Sequence, residues 1–182
     1  MRTAVLQMNP KLYCIDSKPP GKLAISARPR GEDWLEDDVE GWRRSGVDAV
    51  VSLLTQDEAK TLGLENEKAE CAARGVRFIS FPIEDRGVPS SAAGADKLTS
   101  EISDLLRRGL NVAIHCRQGI GRSSMIAAAV LVLNGADLSE ALDRISAARG
   151  LPVPETDDQR QWLEQFSRKT APSNRLLRTQ SK

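Results

Sequence analysis

The stretch 110-LNVAIHCRQGIGRSSMIAAAVLVL-133 constrains the fold more than any other part of the chain. Val112 to Ile114 reads as a short apolar strand, followed by a loop from His115 to Arg122 and then a continuously apolar helix. The apolar run Met125 to Leu133 is too short to span a bilayer, so the helix belongs to a protein core. Cys116 and Arg122 bracket Gly119 and Gly121 in the loop. Glycine tolerates positive φ and carries no Cβ, so the backbone can curl tightly and turn its N–H groups inward. The helix is expected to begin at Gly121 or Arg122, which aims its unsatisfied N–H groups and positive dipole end into the same hollow. The result is an anion cradle of phosphate size with a thiol at its floor.

The totals narrow the class of protein. A chain of 182 residues suits one domain with a real core. With 26 Lys+Arg against 25 Asp+Glu there is no overall field favouring nucleic acid or a membrane. Aromatic residues, at 4%, are too scarce for a base-stacking module. The N-terminus lacks a basic-then-apolar signal pattern. Three cysteines without paired spacing suit a reducing compartment and a free thiol. The expectation is therefore a cytoplasmic monomer without membrane or nucleic-acid partners. One histidine and scattered cysteines offer no plausible metal site, and no cofactor is expected.

The rest of the chain alternates strands and helices. Leu12–Ile15 and Leu23–Ser26 read as short strands joined by the turn Pro19-Pro20-Gly21. Asp33 is expected to cap a helix that Gly46 closes after Ser45. Asp48–Leu54 reads as a strand buried on both faces, and Thr55 with Glu58 as a capping box. A helix over about 66–74, the strand Arg77–Ile83 and the loop 84-EDRGVPSS-91 follow. Pro82 marks that strand as frayed or at an edge. Leu98, Ile102, Leu105 and Leu106 form one stripe of a long helix. Leu138, Ala141, Leu142, Ile145 and Ala148 mark another, ended by Gly150. Pro152 and Pro154 lead stiffly into a last helix over 155–168, and 169–182 reads as a loose basic tail. This order implies a single α/β domain over 1–168, with a mostly parallel central sheet flanked by helices. Ligands of such sheets sit at the carboxyl ends of the strands, where the Cys116 loop lies.

Within the loop, Cys116 taken alone would be an inert buried thiol. Surrounded by inward N–H groups, a helix N-terminus and Arg122, it is expected instead to stand as a thiolate that can attack phosphorus. Arg122 can hold two phosphate oxygens in a fork that lysine cannot copy, and its charge offsets that of a transferring phosphoryl group. His115 precedes the nucleophile on the strand, so its side chain is expected on the opposite face, supporting the loop by a hydrogen bond. Ser123 can donate to the sulfur when it becomes the leaving group, whereas Ser124 reads as ordinary helix polarity. A proton donor for the leaving group must be a carboxylic acid near the sheet's carboxyl edge. Glu84 and Asp85 are placed for it, although a solvated acidic pair is an equal reading. Gln159 shares a helix face with Trp162, Leu163 and Phe166, as either a satisfied core amide or a group reaching the site. Cys71 reads as a helix cysteine packed inward, the alternative being a redox partner of Cys116.

His115-Cys-Arg-Gln-Gly-Ile-Gly-Arg-Ser123 resembles the active-site motif of cysteine-dependent protein tyrosine phosphatases. Pro82-Ile-Glu-Asp-Arg-Gly-Val-Pro-Ser90 looks like the general-acid loop of the compact dual-specificity members, with the aspartate at Asp85. Glu155-Thr-Asp-Asp-Gln159 is similar to their water-positioning segment, with Gln159 at its last glutamine and Glu155 where tyrosine-specific members carry Gln. The resemblance covers about residues 10–168. It implies hydrolysis of phosphotyrosine, and of phosphoserine or phosphothreonine, in protein substrates. Cys116 would form a phosphocysteine that a water placed by Gln159, with Asp85 as base, then hydrolyses. Arg117, Gln118, Gly119, Ile120 and Gly121 would line the phosphate loop. A rhodanese-like sulfurtransferase and a catalytically dead phosphate-binding module are the rival readings.

Overall fold

The structure, a computed structural model, describes residues 10–18 and 20–171. Five short strands form one sheet in the order β1-β2-β5-β3-β4: β1 (Leu12–Ile15), β2 (Leu23–Ser26), β3 (Ala49–Ser52), β4 (Arg77–Ser80) and β5 (Val112–His115). Only β1 runs antiparallel to its neighbour, and β5 lies in the centre, parallel to β2 and β3. A mostly parallel sheet with helices on both faces is the expected α/β architecture.

Side chains alternate across β5, and the two faces of the sheet feed two apolar cores. Val112, Ile114 and Cys116 enter the larger one with Ile25 and Val51, beneath α4 (Ala92–Arg107), α5 (Arg122–Leu133), α6 (Leu138–Arg149) and α7 (Asp157–Thr170). Ala113 enters the smaller one with Val50, Trp42 and Cys71, covered by α1 (Leu35–Arg44) and α3 (Glu67–Ala73). α5 is the buried axis of the larger core. It packs on α4, α6, α7, β2 and β5, and Ala127, Ala128 and Ala129 are fully buried among them. Each of its large apolar side chains gains about 1.5–3 kcal/mol on burial. Among the described residues no helix is long and apolar enough to cross a membrane.

Several element ends differ from the sequence expectation. Asp33 caps nothing: Glu32–Trp34 form a 3-10 turn, and α1 starts at Leu35. Tertiary contact sets this entry, because the Glu32 N–H donates to the Gly63 carbonyl at 2.9 Å. Gly31 lies so close to Leu62 that an added Cβ would stand 1.9 Å from the Leu62 carbonyl oxygen. The strands expected over 48–54 and 77–83 are regular strand only over Ala49–Ser52 and Arg77–Ser80, although the Phe81 and Ile83 N–H groups still donate to the Ser52 and Leu53 carbonyls at 2.9 and 3.1 Å. β4 is an edge strand, where Pro82 is tolerated. Thr55 and Glu58 do form the capping box, opening α2 (Gln56–Thr61). α7 starts at Asp157 because the Thr156 hydroxyl accepts from the Gln159 N–H, and it runs to Thr170, two residues into the expected tail. The turn residue Pro19 and the tail beyond 171 lie outside the described residues.

Candidate active site

Cys116 leaves the carboxyl end of β5 into the loop, and its side chain is buried. The loop is gripped from outside through its carbonyls. The Arg28 N–H donates to the Arg117 carbonyl at 3.3 Å. Arg149, at the end of α6, donates to the carbonyls of Gly119 (2.8 Å) and Gln118 (3.1 Å). Its guanidinium also stacks 4.1 Å from the Tyr13 ring centroid. With these carbonyls turned outward, the intervening N–H groups face the hollow, as in an anion nest. Two glycines permit this path. Gly119 has φ +68° and lies against β2, where an added Cβ would stand 2.5 Å from the Ser26 carbonyl oxygen. At Gly121 a Cβ would stand 2.9 Å from Glu155 and 3.0 Å from the Gln159 amide. Arg117 and Gln118 are exposed at the rim, whereas Ile120 packs against the larger core.

The cavity over the thiol has a volume of about 190 Å³ and is lined by Asp85, Arg86, Cys116, Arg117, Gln118, Gly121, Arg122 and Glu155. Cys116 Sγ and Ser123 Oγ are in hydrogen-bond contact at 3.4 Å. Ser124, also buried, has no hydrogen-bond partner for its hydroxyl among the described residues.

Arg122 is 2% exposed, and its fork is almost fully engaged. Both terminal nitrogens donate to Glu58, at 2.7 and 2.8 Å. Nη1 also donates to the Ile83 carbonyl at 2.8 Å, and Nη2 to Asp85 Oδ1 at 2.9 Å. A guanidinium has five N–H donors, so these contacts take the four terminal hydrogens and leave Nε–H for a ligand. Burial opposes the charge on Arg122, but Glu58, the adjacent sulfur and Asp85 outweigh it and raise its pKa. Burial likewise pushes the Glu58 carboxyl up. The Arg122 hydrogen bond and the Thr55 N–H win, and its pKa is lowered.

Glu58 is the residue that sequence reading missed. It is legible as a capping-box member, but its bond to an arginine 64 positions away appears only once β3 and β5 are paired side by side. Of the acidic pair, the fold brings Asp85 to Arg122, while Glu84 is exposed and does not line the cavity.

Gln159 is fully buried and joins two segments. Its Oε1 accepts from the Glu155 N–H, and its Nε2 donates to the Gly87 carbonyl, each at 3.2 Å. Arg86 donates to Glu155 Oε1 at 3.0 Å. The Asp85 loop and the Gln159 segment are thus tied across the cavity mouth.

His115 is turned to the opposite face of the sheet, fully buried in tilted contact with Trp42. Nδ1 lies 3.4 Å from the Cys116 carbonyl oxygen, and Nε2 lies 2.8 Å from Glu67 Oε1. Cys71 also lies in that smaller core, away from the face that carries Cys116. Burial, with the charge of Glu67 added, pushes the Cys71 thiol up to about 12, so it stays protonated and inert. Among the described residues, no group of three or more His, Cys, Asp or Glu side chains could hold a metal ion.

Known proteins share this architecture. The family model described as "Polymorphic toxin system, DSP-PTPase phosphatase" matches residues 25–136. Cyclin-dependent kinase inhibitor 3 of Rattus norvegicus is 27% identical over 139 residues, which cover 75% of this chain and 65% of that protein. The chain thus spans somewhat less than two thirds of that relative's length. The crystal structure of kinase associated phosphatase, with its catalytic-site cysteine replaced by serine, superposes with a TM-score of 0.79 at 20% identity. That likeness of fold covers 91% of this chain and 98% of the other. Tk-PTP in its active form gives 0.71 at 30% identity, over 89% of this chain and 99% of its own.

Proposed function

The chain belongs to the DSP-PTPase phosphatase family, and from that premise we propose that it hydrolyses phosphomonoesters of proteins through a phosphocysteine on Cys116. The observation that carries this reading is the arrangement around one small cavity. A buried thiol in contact with a serine hydroxyl sits beside a buried arginine, and that arginine holds a carboxylate at the rim.

The hydrogen count on Arg122 suggests how the cycle starts. A phosphoryl group can take Nε–H, but a second bond requires that one terminal donor be released. Glu58 is fixed by two bonds to Arg122 and one from the Thr55 N–H. Asp85 has a single bond to Arg122 and a side chain 56% exposed, so it is the partner that yields. Substrate binding therefore frees Asp85 at the rim, where the leaving oxygen lies. Released from Arg122 and exposed, the Asp85 carboxylate takes up a proton from solvent. Cys116 Sγ attacks phosphorus, the P–O bond to the leaving group breaks, and Asp85 gives that proton to the departing oxygen. In the second half, Asp85 takes a proton from a water that the Gln159 segment places. That water attacks phosphorus, the P–S bond breaks, and the Ser123 hydroxyl donates to the sulfur as it leaves as a thiolate. Arg122 and the inward N–H groups balance the oxygen charges throughout.

The cavity wall is polar, and no aromatic side chain lines it. Such a pocket admits phosphoserine and phosphothreonine as well as phosphotyrosine, because it neither demands nor grips a ring. The protein acts as a cytoplasmic monomer, with its domain continuing to the end of α7 at Thr170. The test is hydrolysis of para-nitrophenyl phosphate and of phosphotyrosyl and phosphothreonyl peptides, with chelator present. Turnover that vanishes in Cys116→Ser supports the reading. Persulfide formation from thiosulfate without phosphate release would replace it by sulfur transfer.

A further inference from the structure

Beneath the phosphate loop, on the face of the sheet away from the cavity, a carboxylate and an imidazole are buried together. Glu67, the first residue of α3, is 2% exposed, and His115 is fully buried. Nε2 and Oε1 approach to 2.8 Å as an ion-pair contact, and neither atom has a hydrogen-bond partner among the described residues. The apolar core on this face of the sheet includes Leu35, Val39, Trp42, Val50 and Val76. Desolvating such a pair is costly, and apolar residues of similar volume would hold the core at least as well. Its connection to the nucleophile is the more informative feature. A carbonyl oxygen can only accept, so the contact between His115 Nδ1 and the Cys116 carbonyl places a proton on Nδ1. The other ring nitrogen faces Glu67 Oε1 at 2.8 Å, while Trp42, with ring centroids 5.7 Å apart, packs the imidazole.

We propose that Glu67 is a positioning residue of this site, acting through His115 to hold the Cys116 peptide at the junction of β5 and the phosphate loop. The proposal rests on the phosphatase reading above. With Glu67 in place, the His115 ring has one orientation, its Nδ1–H stays on the Cys116 carbonyl, and the first peptide of the loop cannot rotate. The loop N–H groups then keep their aim at the phosphate oxygens and at the sulfur. Without the carboxylate, Nε2 loses its close polar neighbour, and the ring is no longer held in one orientation. Glutamine is the informative replacement: its amide reaches as far and can pair with Nε2, leaving Nδ1–H where it is.

Glu67 also lines a cavity of about 460 Å³, together with Lys60, Glu65 and Lys68, so shortening it leaves room for water. The experiment compares Glu67→Gln and Glu67→Leu in the full chain, with thermal melts to show that both are folded. Two readouts are taken: kcat and KM for para-nitrophenyl phosphate, and the rate at which iodoacetamide alkylates Cys116, followed by mass spectrometry of its peptide. Glu67→Leu is expected to lower kcat about tenfold with KM nearly unchanged, and to slow alkylation several-fold, on the scale of one orphaned buried donor. Glu67→Gln should stay within about threefold of the parent in both. A Leu variant that is folded and equal to the parent overturns the proposal. Equal losses in Gln and Leu overturn it too, since a positioning role must be rescued by the side chain that can still pair. Should Glu67→Leu fail to fold, Glu67→Ala takes its place with the same outcomes. Alkylation needs no turnover, so a parent inactive on phosphate would overturn the phosphatase reading while the alkylation comparison still judged Glu67.

Discussion

Two buried basic side chains flank the nucleophile, and each faces a glutamate, yet the two pairs are built differently. On the substrate side Arg122 is bonded twice to Glu58 and once to Asp85, with the last partner largely in solvent. On the far side His115 meets Glu67 as its one acidic partner among the described residues, and both side chains are buried. The first pair has a fixed partner and a replaceable one, as a group that must admit a substrate requires. The second has nothing to exchange. The two pairs thus lie on opposite faces of the sheet, one suited to receiving an anion and the other, as proposed, to holding a peptide still.

The sharpest way to break the comparison is to remove the fork. Arg122→Lys keeps the charge but cannot bond Glu58 and a phosphate together. Its kcat/KM on an aryl phosphate should fall by about three powers of ten, the scale of an arginine that stabilises phosphoryl transfer. A loss under tenfold would mean that the fork does not hold the phosphate.

Removing the replaceable partner should cost less and have a second effect. Asp85→Ala is expected to lower kcat by about two to three powers of ten on an ester with a poor leaving group, the usual worth of acid catalysis. The loss should shrink as the leaving group improves. Vanadate should bind at least as tightly as to the parent, because Arg122 Nη2 no longer has to be released from Asp85. If Glu84→Ala proved the more damaging change, or vanadate bound more weakly to Asp85→Ala, the exchange at Arg122 would be wrong.

The fixed partner should show smaller effects on rate and a clear one on stability. Glu58→Gln keeps the shape but weakens the bidentate pair, and about a tenfold loss in kcat/KM is expected. The pKa of Glu58 is lowered in the folded protein, so its contribution to stability is present above the ordinary carboxylate value of 4.5 and is lost as pH falls below it. Melting temperatures of parent and Glu58→Gln should differ most near neutral pH and converge as the solution is acidified below about 4.5. A gap that stays constant with pH would contradict the pairing.

Much of this was legible from the chain alone, for stated physical reasons. The all-apolar α5 and the glycines of the loop encode their own surroundings, so the position of the cradle and the start of the helix at Arg122 could be read directly. Alternation along β5 likewise told that His115 and Cys116 face opposite ways. Element ends set by tertiary contact could not be read. The entry to α1 depends on Gly31 meeting Leu62. The partners of the two basic groups were hidden for a related reason. Glu58 carries a complete local explanation as a helix cap, and Glu67 looks like ordinary acidity in a first helical turn. Neither shows its second role until the sheet brings residues many positions apart together. Arg149, which grips the loop from behind through Gln118 and Gly119, is a third case.

The central claim is that Cys116 carries the phosphoryl group, and trapping that group tests it most directly. The protein would be mixed with radiolabelled aryl phosphate, quenched in acid within the first turnovers, and digested for mass spectrometry. The label is expected on the peptide that holds Cys116, and none in Cys116→Ser, which should also lack turnover. Label on another residue, or full turnover by Cys116→Ser, would contradict it.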